Sequence, residues 1–289
     1  MTETFDRETA AAAIEAPGTP EEHWAAWDGL ARLPAVPPPS GPVVVVAAHP
    51  DDEVLGFGGT MAQLTGAIHL VTVTDGEGSH PHLPAGRIAA LRAAELERAL
   101  GALAPRAYRT YRLHIPDTDV GAHERQLTRQ LATVLRQTGA GLCVAPFTGD
   151  LHADHEAAGR AAAAAARQTG TPCWHYPIWM WHWASPGDPR VPWSTARRLP
   201  LPSWAQARKQ AAIHHFTSQI TPFSLDTDTD TDTRTGTETN ANANANPNPN
   251  PNPNPNPNPN PNTGPAPDTV ILPPSELAHH TRPFETVFI

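Results

Sequence analysis

Four consecutive valines, Val43 to Val46, run into His49, Pro50 and three adjacent acids, Asp51, Asp52 and Glu53, and then into Gly56, Gly58 and Gly59. A β-branched run of this kind reads as a strand buried on both faces, the pattern of a parallel sheet covered by helices. Three carboxylates side by side at its end repel one another unless a positive group sits among them. The stretch therefore asks for a cation, and its glycines would let the following helix approach the sheet closely. A phosphate cradle is the competing reading of "GFGG" after a strand. The segment has neither the G-x-G-x-x-G spacing nor the P-loop lysine, and three acids would repel an anion.

The strand-then-helix alternation continues. The helix after Val43 to Ala47 is expected to open near Gly58 and to run through Met61 to Thr65, and Ile68 to Thr74 reads as a second strand. Ile88 to Leu103 and Gln126 to Gln137 show helical apolar spacing, and Leu142 to Pro146 is another short buried strand. Strands separated by helices of this length form βαβ units, so a mainly parallel sheet is expected, with ligands at the carboxyl ends of its strands.

A metal needs deprotonated oxygen and imidazole ligands, and His49 and Asp52 fit that need if the chain turns after Pro50. Asp51 would face the same pocket without ligating, where a general base for an activated water belongs. After Leu142 to Pro146 comes "FTGDLHADHEAAGR", which sets His152, Asp154 and His155 just before an Ala-rich helix. The two strand ends together offer a three-ligand metal site with an open position. The plainer alternative is that Asp154 caps the helix and the histidines are solvated.

With "AHPDDE" at 48 to 53, "HADH" at 152 to 155, "RAAEL" at 92 to 96 and "KQAAIHHFTSQ" at 209 to 219, the chain resembles the PIG-L/LmbE-like deacetylases, from about residue 43 to 220 and more weakly in "ILPPSELAHHTRPFE". That resemblance implies a Rossmann-like α/β fold in a single domain and zinc-dependent removal of an N-acyl group, typically the acetyl of an N-acetylglucosamine-type sugar or glycoconjugate. It implies His49, Asp52 and His155 as metal ligands and Asp51 as general base. His152 would stabilise the oxyanion or protonate the leaving amine, with Asp154 orienting it or another histidine, and Arg92 and Asp117 would contact sugar hydroxyls. Without the resemblance, Arg92 reads as a helix-surface partner of Glu95 and Asp117 as a turn residue after Pro116. Ferrous iron accepts the same ligands as zinc. Some relatives carry an aromatic residue near the first histidine of the second motif, where this chain has Asp150 and Leu151, and Phe216 stands where many have a histidine. Two rival readings are an amidase for a larger sugar conjugate or glycosylated natural product, and a non-catalytic metal- or sugar-binding module. A binder has no need of the base Asp51.

The expected organisation is an N-terminal surface extension over 1–40, the deacetylase domain over 41–225, a low-complexity insert over 226–268 and a C-terminal segment over 269–289 that packs back on the domain. The insert alternates Thr with Asp and then Asn with Pro, has almost nothing apolar to bury and is expected to be disordered. Loop-closure cost rises only logarithmically with length, so such an insertion is tolerable. Its acids contribute to the net charge of -9, from 20 basic and 29 acidic residues, a balance that disfavours nucleic acid as a partner. Cys143 and Cys173 sit in apolar settings and read as buried thiols rather than a disulfide framework. The acidic N-terminus lacks a signal-peptide pattern and no stretch reaches the length of a membrane span, so a cytoplasmic location is expected. His80 and His82 fall in a Gly/Pro-rich loop expected to border the pocket. Trp179, Trp181 and Trp183, near Trp174 and Trp193, are expected on one strand face, as core or as a stacking platform for a sugar or apolar aglycone.

Overall fold

The computed structural model describes residues 12–14, 16–223 and 270–289. The insert expected to be disordered, 226–268, lies outside the described residues. Two short helices, α1 (Glu21–Ala26) and α2 (Asp28–Arg32), precede β1 (Val43–Ala47), α3 (Asp52–Gln63), β2 (Ile68–Thr72), α4 (Ala85–Leu103) and β3 (Tyr108–Arg112). A 3-10 turn, Val120–His123, leads into α5 (Glu124–Thr138), β4 (Leu142–Pro146), α6 (Ala153–Thr169), β5 (Cys173–Tyr176) and α7 (Met180–Trp183). Then follow β6 (Ala196–Pro200), α8 (Ser203–Ile213), α9 (Thr217–Ile220), α10 (Pro274–His279) and β7 (Phe284–Phe288). Among the described residues no helix is long and apolar enough to cross a membrane.

These strands form one sheet in the order β3-β2-β1-β4-β5-β7-β6. The first five in that order run parallel, and β7 lies antiparallel to both β5 and β6. This is the α/β fold with a mainly parallel sheet that the alternation predicted. The valines of β1 explain the layering. Val43 and Val45 enter one core with Leu70, Val144, Phe57 and Leu100. Val44 and Val46 enter the opposite core with Val71, Cys143, Leu131 and the alanines of α6. Alternate side chains thus serve opposite faces, and a strand buried on both sides must be apolar throughout.

Strand order places the site. The chain winds outward from β1 through β2 to β3, then returns to β4 on the other flank of β1. The loops after β1 and β4 diverge at this reversal, and the crevice they leave at the carboxyl ends of the strands is where such sheets bind ligands.

Three expectations give way. Helix α3 begins at Asp52, not near Gly58, because Asp52 and Glu53 fill its first turn, where negative charge is favoured by the helix dipole. Its glycines are accommodated in the helix: a Cβ on Gly56 would lie 2.1 Å from the Tyr176 ring and one on Gly59 2.5 Å from Leu201, whereas Gly58 has ordinary room. Trp179, Trp181 and Trp183 do not share a strand face, since Met180–Trp183 is a helical turn. Nor is the N-terminal region wholly a surface extension. Trp24 is fully buried, donates its indole N–H to the Trp181 carbonyl at 3.0 Å, and shares a core with Leu30, Leu33 and Met180.

Candidate active site

The motif after β1 resolves its crowding of acids by giving each carboxyl a different environment. Asp52 accepts the His49 backbone N–H at 2.9 Å and lies 3.3 Å from His155 Nε2 and 3.7 Å from His49 Nδ1. Burial opposes its charge, but His155 and His49 outweigh this and hold its pKa far below the ordinary value. Asp51 accepts from the Arg92 guanidinium at 2.9 Å, yet burial dominates and its pKa is raised, with Asp52 repelling it further. Glu53 is fully buried, and neither of its carboxyl oxygens is hydrogen-bonded among the described residues. Burial, followed by the Asp51 and Asp52 charges, pushes its pKa well up.

The second motif meets the first across the crevice. His155 Nε2 and His49 Nδ1 face each other at 3.2 Å with Asp52 beside both. The far nitrogen of each ring is held by carboxylate. His49 Nε2 lies 3.0 Å from Asp117 Oδ1 and 3.4 Å from Asp154 Oδ2, and His155 Nδ1 lies 2.7 Å from Asp150 Oδ2. Burial works against protonating either ring, but the surrounding carboxylates prevail: Asp117 above all raises His49 well above the usual imidazole range, and Asp52 with Asp150 raises His155. His152 stacks near both, its ring centroid 4.4 Å from that of His155 and 5.0 Å from that of His49. Burial first, then the charges on His155 and His49, push His152 well below the usual range, and its Nδ1 is buried with no hydrogen-bond partner among the described residues.

This arrangement fits a divalent cation. Two imidazole nitrogens that point at one another beside a carboxylate, each ring anchored at its far side by another carboxylate, form the carboxylate–histidine–metal pattern. His49, His152 and His155 can bring their ligand atoms within 4.8 Å of one another, as can His49, Asp117 and Asp154. The donors suit zinc or ferrous iron.

The structure brings together all of the residues singled out from the motifs, with differences in partnership. Of the two alternatives for Asp154, His152 or another histidine, it faces His49, and its carboxylate also accepts the backbone N–H groups of Thr118 at 2.7 Å and Val120 at 3.1 Å. Asp117 is no mere turn residue, because besides His49 it accepts the Gly78 N–H at 2.8 Å. Arg92 does not pair with Glu95. It is 3% exposed and donates to Asp51, to the Pro50 carbonyl at 3.2 Å and to the Gly76 carbonyl at 3.4 Å, while Glu95 binds Thr217 and Ser218. The residue missed is Asp150. It stands two positions before His152, in the alternation of acids and histidines Asp150, His152, Asp154, and that spacing was the available signal.

A cavity of about 220 Å³ opens onto these groups. His49, Asp51, Arg92, Asp117 and His152 form its polar side, and Leu55, Ile178, Trp179, Ile271 and Leu272 its apolar side. The loop after β2 reaches it through Gly78 and Ser79, while His80 is buried, shares a hydrogen bond with the Ser79 hydroxyl and packs against His82 and Phe223.

The site is thus a buried cluster of histidines and carboxylates that could hold a metal ion, at the reversal point of an α/β sheet and opening onto a cavity with a buried acid in its wall. Residues 44–166 match the family model described as PIG-L: GlcNAc-PI de-N-acetylase. No curated protein matches the chain. Among solved structures it is similar to the conserved protein TT1542 from Thermus thermophilus, at 27% identity over 61% of this chain and 79% of that one, TM-score 0.47. It is also similar to the N,N'-diacetylchitobiose deacetylase from Pyrococcus horikoshii, at 19% identity over 74% and 81%, TM-score 0.48. A third is the 4-carboxy-2-hydroxymuconate hydratase GalB from Pseudomonas putida, at 20% identity over 62% and 80%, TM-score 0.43. A fold by itself does not name a reaction, so the chemistry is argued from the side chains.

Proposed function

We propose that this chain is a metal-dependent hydrolase that removes an N-acetyl or other N-acyl group from an N-acetylglucosamine-type sugar or glycoconjugate. The observation that carries the reading is the convergence of His49, His155 and Asp52 on one point, with Asp51 in the wall of the same cavity. The match of residues 44–166 to a de-N-acetylase family model supports the acyl amide as the bond attacked.

His49, Asp52 and His155 would hold the cation, and a carboxylate with two imidazoles leaves a position open for substrate. The chemistry a bound cation supplies is Lewis acidity toward the acyl carbonyl and a lowered pKa for the attacking water. Asp51 accepts the proton of that water. Burial raises the pKa of Asp51, while Arg92 fixes its carboxyl and restrains that rise. His152, kept neutral by burial and by its charged neighbours, has an N–H to offer the developing oxyanion or the departing nitrogen. Water oxygen bonds to the acyl carbon, the C–N bond breaks, and the proton taken from water passes to the amine, giving the free amino sugar and a carboxylic acid that ionises to carboxylate by releasing its remaining proton to solvent.

The test is acetate release by the metal-loaded protein across a panel of N-acetylated sugars and glycoconjugates, with chelated protein as the blank. Metal-dependent release from at least one member is the expected result. Stoichiometric metal with no release from any member favours a binding module.

A further inference from the structure

Asp150 is fully buried and follows β4, yet its partners come from two parts of the chain, His155 and the segment 178–183. Oδ2 accepts from His155 Nδ1 at 2.7 Å and from the Trp179 backbone N–H at 3.0 Å. Oδ1 accepts the backbone N–H groups of Ile178 at 3.1 Å and Met180 at 2.8 Å. Its own carbonyl accepts the Trp183 indole N–H at 3.2 Å. The N–H groups that open a helical turn have no partner within the turn, and here a carboxylate from another loop satisfies them, in the orientation the peptide dipoles favour. That turn supplies Ile178 and Trp179, two members of the apolar side of the cavity.

We propose that Asp150 is a positioning residue that sets, through a single carboxylate, both the His155 imidazole at the metal point and the 178–180 turn that walls the substrate cavity. The inference rests on reading His155 as a metal ligand. With Nδ1 bonded to Asp150, Nε2 is the nitrogen turned toward Asp52 and His49 Nδ1, and the ring cannot rotate without breaking a buried charged hydrogen bond. Any shift of the carboxylate toward its other partners moves the ring and Trp179 together. Metal grip and substrate grip are thereby joined at a side chain that need touch neither ligand. An amide at this position cannot serve the same set, because its NH₂ would point at an N–H donor.

The experiment is zinc titration by calorimetry on the wild type, Asp150→Asn and Trp183→Phe, together with steady-state kinetics on a turned-over substrate. Asp150→Asn is expected to lose about 10- to 100-fold in zinc affinity, the usual effect of removing such an outer partner. It should also raise KM at saturating zinc as the turn loosens. Trp183→Phe, which removes the bond to the Asp150 carbonyl but leaves the Asp150 carboxylate and its partners in place, should bind zinc as the wild type does. In the His155→Ala background, Asp150→Asn should add no further loss of zinc affinity. If Asp150→Asn does not fold, the zinc-loaded wild type still decides: a downfield, slowly exchanging His155 Nδ1–H resonance is expected, and its absence overturns the inference. Wild-type zinc affinity in a folded Asp150→Asn overturns it alone. A wild type that binds no zinc overturns the metal reading and this inference with it.

Discussion

Two buried ionic clusters contact α3, one at its middle and one at its N-terminus, and they are finished to different degrees. At the middle of the helix, Glu285 accepts the Lys209 ammonium at 2.7 Å and the backbone N–H groups of Gly59 at 2.7 Å and Thr60 at 2.8 Å. Donors and acceptor match, and the pair ties α8 and β7 to the helix. At its N-terminus, His49 Nδ1 and His155 Nε2 confront each other, and His152 Nδ1 and both oxygens of Glu53 have no hydrogen bond among the described residues. A buried polar group without a partner costs about 1–3 kcal/mol, so the second cluster is held in place by the rest of the fold. The comparison separates an ion pair that completes itself from a cluster whose open donors could hold a cation.

The first way to sharpen this contrast is Asp51→Asn, which is expected to retain metal and to lose about 10²–10⁴-fold in kcat, because an amide cannot accept the proton of the attacking water. Metal analysis beside acetate release checks it, and loss of the metal would mean that Asp51 and Asp52 exchange roles. Lys209→Met attacks the finished cluster. It strands the Glu285 carboxylate in the interior and is expected to cost about 3–5 kcal/mol by denaturant unfolding, with metal per folded chain unchanged. Gly56→Ala presses a methyl into the Tyr176 ring and is expected to cost about 1–3 kcal/mol, read as a fall in melting temperature.

The smallest effect is set by pH. Glu21 accepts from Arg282 Nε at 2.7 Å and from His279 Nδ1 at 2.7 Å, tying α1 to the C-terminal segment. Burial opposes its charge, but those two partners prevail and lower its pKa below 4.5. A lowered folded-state pKa stabilises the chain fully above the unfolded value and loses that contribution as pH falls through the folded one. Glu21→Gln should therefore narrow its stability gap to the wild type as pH drops below about 4.5, followed by thermal unfolding at stepped pH. A gap that stays constant through that range would show that the carboxylate's charge contributes nothing to the docking of α1.

How far the molecule was legible beforehand follows from the range of the interactions. Leu142 to Pro146 matched the strand residue for residue because an unbroken apolar run can only be buried on both faces. The two motifs at the ends of β1 and β4 were legible because their residue types are costly without a partner. What escaped depended on long-range contacts. The alternating tryptophans suggested a strand, but a carboxylate some thirty positions earlier, at Asp150, satisfies the N–H groups of a helical turn there. Arg92 offered Glu95 as a partner by helical spacing, and instead reaches Asp51 from 41 positions away. Trp24 looked like part of a proline-rich extension until Trp181 supplied the core it enters.

The claim at the centre of this account is that the cluster at the ends of β1 and β4 is completed by one cation. Calorimetric titration of the chain with zinc, repeated at neutral pH in buffers of different ionisation enthalpy, tests it most directly. The carboxylates hold His49 and His155 toward their protonated forms when no metal is bound, so binding must displace protons. One equivalent per chain, proton release to the buffer and strong weakening in His155→Ala are the predicted results. Absence of binding, or binding that His155→Ala leaves unchanged, would contradict it.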